Sequence, residues 1–220
     1  MVNVISFCLY GGVAKYTLGM KENIRLGLIH FPEWEIRIYH NDSVPVSFIN
    51  EYIEMGAKCI PCKNKGTDMN WEGMFWRFLP LDDSTVDYWI SRDADSRVSS
   101  REFKMVEEWI ASGKTLHCIR DHRCHCHPIM GGMFGINNKT FHQNYTFEKV
   151  PDIIERLYGN YKERKYNVDQ LFLNNRVWNL LKEDSLSHIS NGGRRIYESD
   201  IEVPRVNDFV GKQYRINYPL

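Results

Sequence analysis

The chain has 220 residues, 43% hydrophobic and 25% charged, an ordinary composition for a globular protein with one well-packed core. Lys and Arg number 28, as do Asp and Glu, so the formal net charge is zero and no long-range field exists to draw in nucleic acid or an anionic membrane. The N-terminal MVNVISFCLYGG lacks the pattern of a secretory leader, and no apolar run approaches the roughly 20 residues of a membrane span.

A cytoplasmic location is the expectation. There the six cysteines read as thiols rather than a disulfide frame, and the sequons at Asn138 and Asn144 carry little meaning.

In chain order, VNVISFCLY reads as a first buried strand, followed by a helix with Met20, Ile24 and Leu28 on one face and ended by FPEW. EIRIYH is a second strand, VSFINEYIEMG a helix closed by Gly56, and AKCIPC a third strand. This β-α-β-α-β opening predicts an α/β fold, a mostly parallel sheet with helices on both faces. NWEGMFWRFLPLDD reads as a helix stopped by Pro80, and VDYWISR as the next strand. Ser99, three residues before Glu102, has capping-box spacing and should start a helix bearing Val106, Trp109 and Ile110.

TLHCIRD reads as a strand and IMGGMFGIN as a Gly-interrupted strand whose bare backbone can lie close to a ligand. VPDIIERLYG is a helix with Pro151 at its start and Gly159 at its end. VDQLFLNNRVWNLLKE is a longer helix in which Val168, Leu171 and Phe172 repeat near Leu180 and Leu181; from Asp184 onward only short strand-like pieces follow.

The stretch DYWISRDADSRVSSRE carries the chemistry. Its apolar strand runs into Asp93 and Asp95 where the chain leaves the sheet, the end of a strand at which α/β proteins place their ligands. In an extended segment residues two apart point to the same side, so both carboxylates can face one hard cation. Arg77, Arg92 and Arg97 are near in sequence, and a diphosphate needs both a bridging cation and fork-shaped donors. The competing reading is an Asp–Arg ion-pair network at a helix entrance.

The segment MFWRFLPLDDSTVDYWISRDADSRVSSREFKMVEEWIASGKTLHCIRDHRCHCHPIMGGMFG, with ISFCLYGG, EIRIYHNDSVP and YNVDQLFL, resembles small GT-A-type glycosyltransferases of bacteria and large DNA viruses. The resemblance implies a single GT-A-like domain over residues 1–220, its Rossmann-like half at 1–97 binding the nucleotide-sugar and its acceptor side at 98–220. It implies a hexosyltransferase-like enzyme that moves a sugar from a nucleotide-sugar, UDP-linked by preference, to a glycan, glycoprotein or other hydroxyl acceptor. No nucleic acid or membrane span is involved, and were the chain viral the location would be the host cytoplasm.

Carried over by that likeness, Asp93 and Asp95 hold Mn2+ or Mg2+ with Ala94 between them, and Asp95 is the stronger direct ligand. Phe7, Leu9, Tyr10 and Gly11 form the nucleotide floor, Tyr39 and Asn41 close its other side, and Arg77 faces the diphosphate. Asp121 and His122 contact sugar hydroxyls, Gly132 allows close backbone approach, and Asp169 lies on the acceptor side. His188 takes the place of a late metal ligand, although Ile189 stands where the related pattern has Asp.

Each assignment has a plainer counterpart: Tyr10 as surface packing, Arg77 as a surface helix charge, Asp169 as an N-cap, Trp71 and Trp76 as core. His117, Cys118, His122, Cys124, His125, Cys126 and His127 also raise a zinc site, which their crowded spacing disfavours. A non-catalytic nucleotide-sugar-binding module and a metal-dependent hydrolase or nucleotidyltransferase are the alternative functions.

Overall fold

A computed structural model describes residues 1–63, 71–158, 167–190 and 200–214. Eight strands make one sheet: β1 (Val2–Leu9), β2 (Trp34–His40), β3 (Lys58–Pro61), β4 (Val86–Arg92), β5 (Leu116–Arg120), β6 (Met133–Asn137), β7 (Ser185–Ser190) and β8 (Ile201–Val203). Their order is β3-β2-β1-β4-β6-β5-β7-β8. The first four are parallel, β6 runs antiparallel to both β4 and β5, and β7 and β8 continue parallel to β5.

Strand alternation explains the layers. On β1, Val4 points to one face and Ile5, Phe7 and Leu9 to the other, so both faces are buried and the strand reads as an unbroken apolar run. One face carries α1 (Ala14–His30), α2 (Val46–Glu54) and α3 (Ser100–Ser112), whose Met20, Ile24, Ile49, Tyr52, Val106 and Trp109 pack on β1, β2 and β4. The other carries the 3-10 helix Trp71–Asp82, α4 (Asn138–Asn144), α5 (Val150–Tyr158) and α6 (Val168–Phe172), which continues through a π-helical stretch, Leu173–Val177, into α7 (Trp178–Leu181). The Pro151 signal for α5 holds, while Gly159 lies outside the described residues.

Three local expectations are corrected. Leu28 is exposed, and Asn23 and Gly27 take the inner face of α1 with Met20 and Ile24, because the helix packs closely enough that a Cβ at Gly27 would press into Ile36. Pro80 does not stop its helix, which runs on to Asp82; the Pro80 carbonyl accepts from the Asp83 N–H and from Asn138 Nδ2. Leu171 and Leu180 face solvent, since the wider π turn between them shifts the phase and turns Phe172, Leu173, Val177, Trp178 and Leu181 inward.

The capping box forms by half. Ser99 Oγ accepts from the Glu102 N–H at 3.3 Å, but the Glu102 carboxylate turns to Arg92, and both side chains are buried. Arg92 Nη1 also donates to the Ser91 and Phe134 carbonyls, so Arg92 is a structural cation fastening β4 to α3 and not part of a phosphate clamp. Removing one partner of such a buried pair costs about 3–5 kcal/mol.

Candidate active site

In this sheet the chain passes from β1 to β2 and β3 on one side and to β4 on the other. The switch point lies between β1 and β4, outside whose carboxyl ends such sheets form a crevice. A two-lobed cleft opens there. One lobe, of about 270 Å³, is lined by Cys8, Leu9 and Tyr10 from the end of β1, by Ala94 and Asp95 following β4, and by Tyr16 and Gln213. The other, of about 190 Å³, is lined by the 130–133 turn, Tyr158, Asn167, Asp169 and Gln170. Tyr10, Met74, Arg77 and Asp93 border both lobes and join them.

Arg77 is the hinge of this arrangement. Its guanidinium is buried, with Nη1 paired to Asp93 and Nη2 3.1 Å from Asp169 Oδ2, which rules out the surface-charge reading. Burial alone would lower its pKa, but the charges of Asp93 and Asp169 outweigh burial and raise it. Burial likewise raises the Cys8 thiol beneath it to about 11, so Cys8 is a neutral floor. Ser6 Oγ fastens the Arg77 backbone carbonyl at 2.7 Å.

The acidic loop is held from behind. Asn23 Nδ2 donates to the Ala94 and Ser96 carbonyls, and Asn23 Oδ1 accepts from the Val98 N–H. At Gly19 the helix comes so near the Ala94 carbonyl that a Cβ would collide with it. The strand ends at Arg92 and residues 93–96 form a turn closed by Ser96, so Asp93 and Asp95 are not two apart on an extended strand. Both nevertheless line the first lobe. Lys15 Nζ lies 2.5 Å from Asp95 Oδ2, and that hydrogen bond raises the lysine pKa.

The second lobe is assembled from two segments far apart in sequence. Ser91 Oγ donates to the Gly131 carbonyl, while Gln170 accepts from the Gly131 N–H and donates to the Ile129 carbonyl. At Gly132 any side chain would run into the Asp93 carboxylate, so only glycine leaves room for it. Asp169 is not the N-cap of α6: Asn167 is, in the left-handed conformation at φ 64°, and Asp169 sits in the first turn facing Arg77.

Of the residues expected at the site, the structure therefore brings together Leu9, Tyr10, Arg77, Asp93, Ala94, Asp95, Gly132 and Asp169. It does not bring the others. Phe7 points into the α1 and α2 core by strand parity, and Tyr39 is buried on the opposite face. Gly11, at φ 72°, gives its N–H to Ser43, to which Asn41 also binds. Asp121 is paired with Arg101 and accepts from the Val210 N–H, while His122 stacks on Phe209 at 4.0 Å.

His188 is fully buried on β7 between His117 and Glu108, away from both lobes. Trp76 belongs to the core as expected, and the side chain of Trp71 lies outside what is described.

Among the described residues no three His, Cys, Asp or Glu side chains converge as a metal site, and all six cysteines are free thiols, so the zinc reading finds no support. Asp93 and Asp95 on one lobe do fit a hard divalent ion, because such ions are held by one or two carboxylates and complete their shell with phosphate oxygens and water.

The chain matches no protein-family model and no curated protein. Among solved structures, a glycosyltransferase involved in the glycosylation of the major capsid of PBCV-1 is similar over 86% of this chain and 82% of its own, at TM-score 0.50 and 11% identity. The fold is GT-A-like.

The apo-form glycosyltransferase GlyE of Streptococcus pneumoniae is similar over 85% of this chain at TM-score 0.51 and 20% identity. A 1–349 fragment of S. aureus TarS aligns over 56% of this chain at TM-score 0.42 and 13% identity. The chain spans 45% of the GlyE chain and 36% of the TarS fragment. At such identities the likeness speaks to fold, and function has to come from the site. Among the described residues no helix of this GT-A-like chain is long and apolar enough to cross a membrane.

Outside the cleft, the histidines confer a pH dependence. Burial, followed by the neighbouring His122, lowers His125 to about 4; burial also lowers His117 and His188. Above about pH 6.5 both folded and unfolded chains hold these rings neutral, and stability is unaffected. Between there and about pH 4 the unfolded chain takes up a proton that native His125 refuses, so stability falls as pH falls, by about 1 kcal/mol per pH unit from His125. Urea midpoints of His125→Asn should fall less steeply from pH 7 to 4.5 than those of the wild type; parallel curves would refute the assignment.

Proposed function

We propose that this chain transfers a sugar from a nucleoside-diphosphate sugar to a hydroxyl acceptor. The observation that carries the reading is the cleft at the β1/β4 switch point, where two loop carboxylates line one lobe and one of them, Asp93, stands with a buried arginine between the two lobes. The first lobe has the residue types for a nucleoside diphosphate: Tyr10 and Tyr16 offer aromatic faces, and Asp93 and Asp95 offer oxygens to a divalent ion, manganese or magnesium. When bound, that ion would neutralise charge on the leaving diphosphate.

The chain's own residues do the rest. Arg77 is held by Asp93 and Asp169 with its forked donors between the lobes, where charge builds on the departing oxygen, and its position is set before substrate arrives. Asp169, in the second lobe, orients Arg77 and faces the space left for the sugar and the acceptor hydroxyl. Residues 1–97 then serve mainly the nucleotide and 98–220 the acceptor. A uridine diphosphate donor and a glycan or glycoprotein acceptor are the favoured substrates.

The test is a melting-temperature screen of uridine, guanosine and thymidine diphosphates and their sugars, with and without manganese. A ligand at 100 times its Kd adds about 2.7 kcal/mol, a shift of about 5–11 °C for a chain of this size. One nucleotide should stabilise, and only with metal. If none does, or if a nucleoside triphosphate is turned over without any sugar acceptor, the transferase reading falls.

A further inference from the structure

Both acids of the first lobe already carry a protein cation: Arg77 on Asp93 and Lys15 on Asp95. The two cations differ in kind. Arg77 is buried and tied by two carboxylates and so stays in place, whereas Lys15 stands at the start of α1 with its side chain about one third exposed (34%) and Asp95 as its one ion-pair partner among the described residues. Asp95 itself is buried, and its backbone carbonyl is fixed by the Tyr214 N–H at 2.9 Å, so the carboxylate cannot easily leave the lysine. A divalent ion taking an oxygen of Asp95 directly therefore has to displace the Lys15 ammonium, which is a flexible point charge on a four-carbon stem.

We propose that Lys15 is an exchangeable counter-ion for Asp95: it occupies the carboxylate in the free protein and moves onto the diphosphate when the metal enters. This inference rests on the function proposed above. Moving the ammonium from carboxylate to phosphate is favourable only when the diphosphate is present, so metal and donor bind poorly alone and well together. By linkage each raises the affinity of the other by the same factor, typically 5–150-fold. Lys15 is then a positioning residue that keeps the cleft from loading metal without donor.

The test follows manganese binding by electron paramagnetic resonance, without any turnover, in the wild type, Lys15→Gln, Lys15→Met and Lys15→Arg. Manganese is added alone and with saturating uridine, guanosine or thymidine diphosphate. In the wild type the nucleotide should tighten manganese binding at least fivefold. Lys15→Gln and Lys15→Met should bind manganese alone at least fivefold tighter than the wild type, with the enhancement by nucleotide correspondingly smaller; Lys15→Arg should retain the wild-type pattern.

A wild type and neutral variants that bind manganese alone equally, with nucleotide coupling intact in all, would overturn the role of Lys15 and leave the proposed function standing. Manganese bound by none of these proteins under any condition would overturn the metal site and the inference together. Unchanged melting temperatures confirm that the comparison is between folded chains.

Discussion

Asp95→Ala is expected to fold and to lose metal-dependent nucleotide binding outright. The side chain's one ion-pair partner among the described residues is the partly exposed Lys15, so its removal should cost only about 1 kcal/mol of stability. The loop survives the change because it is held by other atoms: Asn23 binds the Ala94 and Ser96 carbonyls, and the contact with Tyr214 uses the Asp95 backbone. The readout is the metal-dependent melting shift of the wild type, about 5–11 °C at 100 times Kd, which should vanish in the variant. An undiminished manganese-dependent shift in folded Asp95→Ala would remove Asp95 from the site.

Arg77→Met should be more damaging, in two separable ways. It leaves Asp93 and Asp169 facing each other across the cleft without their cation, and the loss of one partner from a buried charge network costs about 3–5 kcal/mol. It also deprives the diphosphate of its forked donor. Adding Asp169→Asn should recover a substantial part of the stability, because one uncompensated charge is gone, while nucleotide binding stays lost. Urea midpoints at constant m-value report the first effect and nucleotide melting shifts the second. If the double variant regained binding along with stability, Arg77 would be a structural residue only.

How much of this was legible in the sequence differs by element. The first strands and helices were readable because β1, buried on both faces, and the β-α-β rhythm leave a one-dimensional signature. Asp93 and Asp95 were legible as a pair of acids where an apolar strand ends, although the turn that carries them was not. Phe7 is turned into the helix-side core by strand parity on β1, whereas Tyr39 on β2 and His188 on β7 lie on strands away from the β1/β4 cleft, a separation that no local pattern records.

Other contributors leave no distinct signal, because in sequence they resemble ordinary helix residues. Lys15, Asn23 and Gln170 are polar positions in helices until their partners are known, although the Gly19–Asn23–Gly27 spacing was a sign of close packing on α1.

Local periodicity and chain polarity are enough to encode the α/β class, the order of the first strands and helices, and the acids at the end of β4. Folding in three dimensions is what sets Arg77 between Asp93 and Asp169, Lys15 on Asp95, and Gly132 against Asp93. Those contacts join residues 16 to 92 positions apart, and no pattern along the chain encodes which charges meet once the sheet is folded.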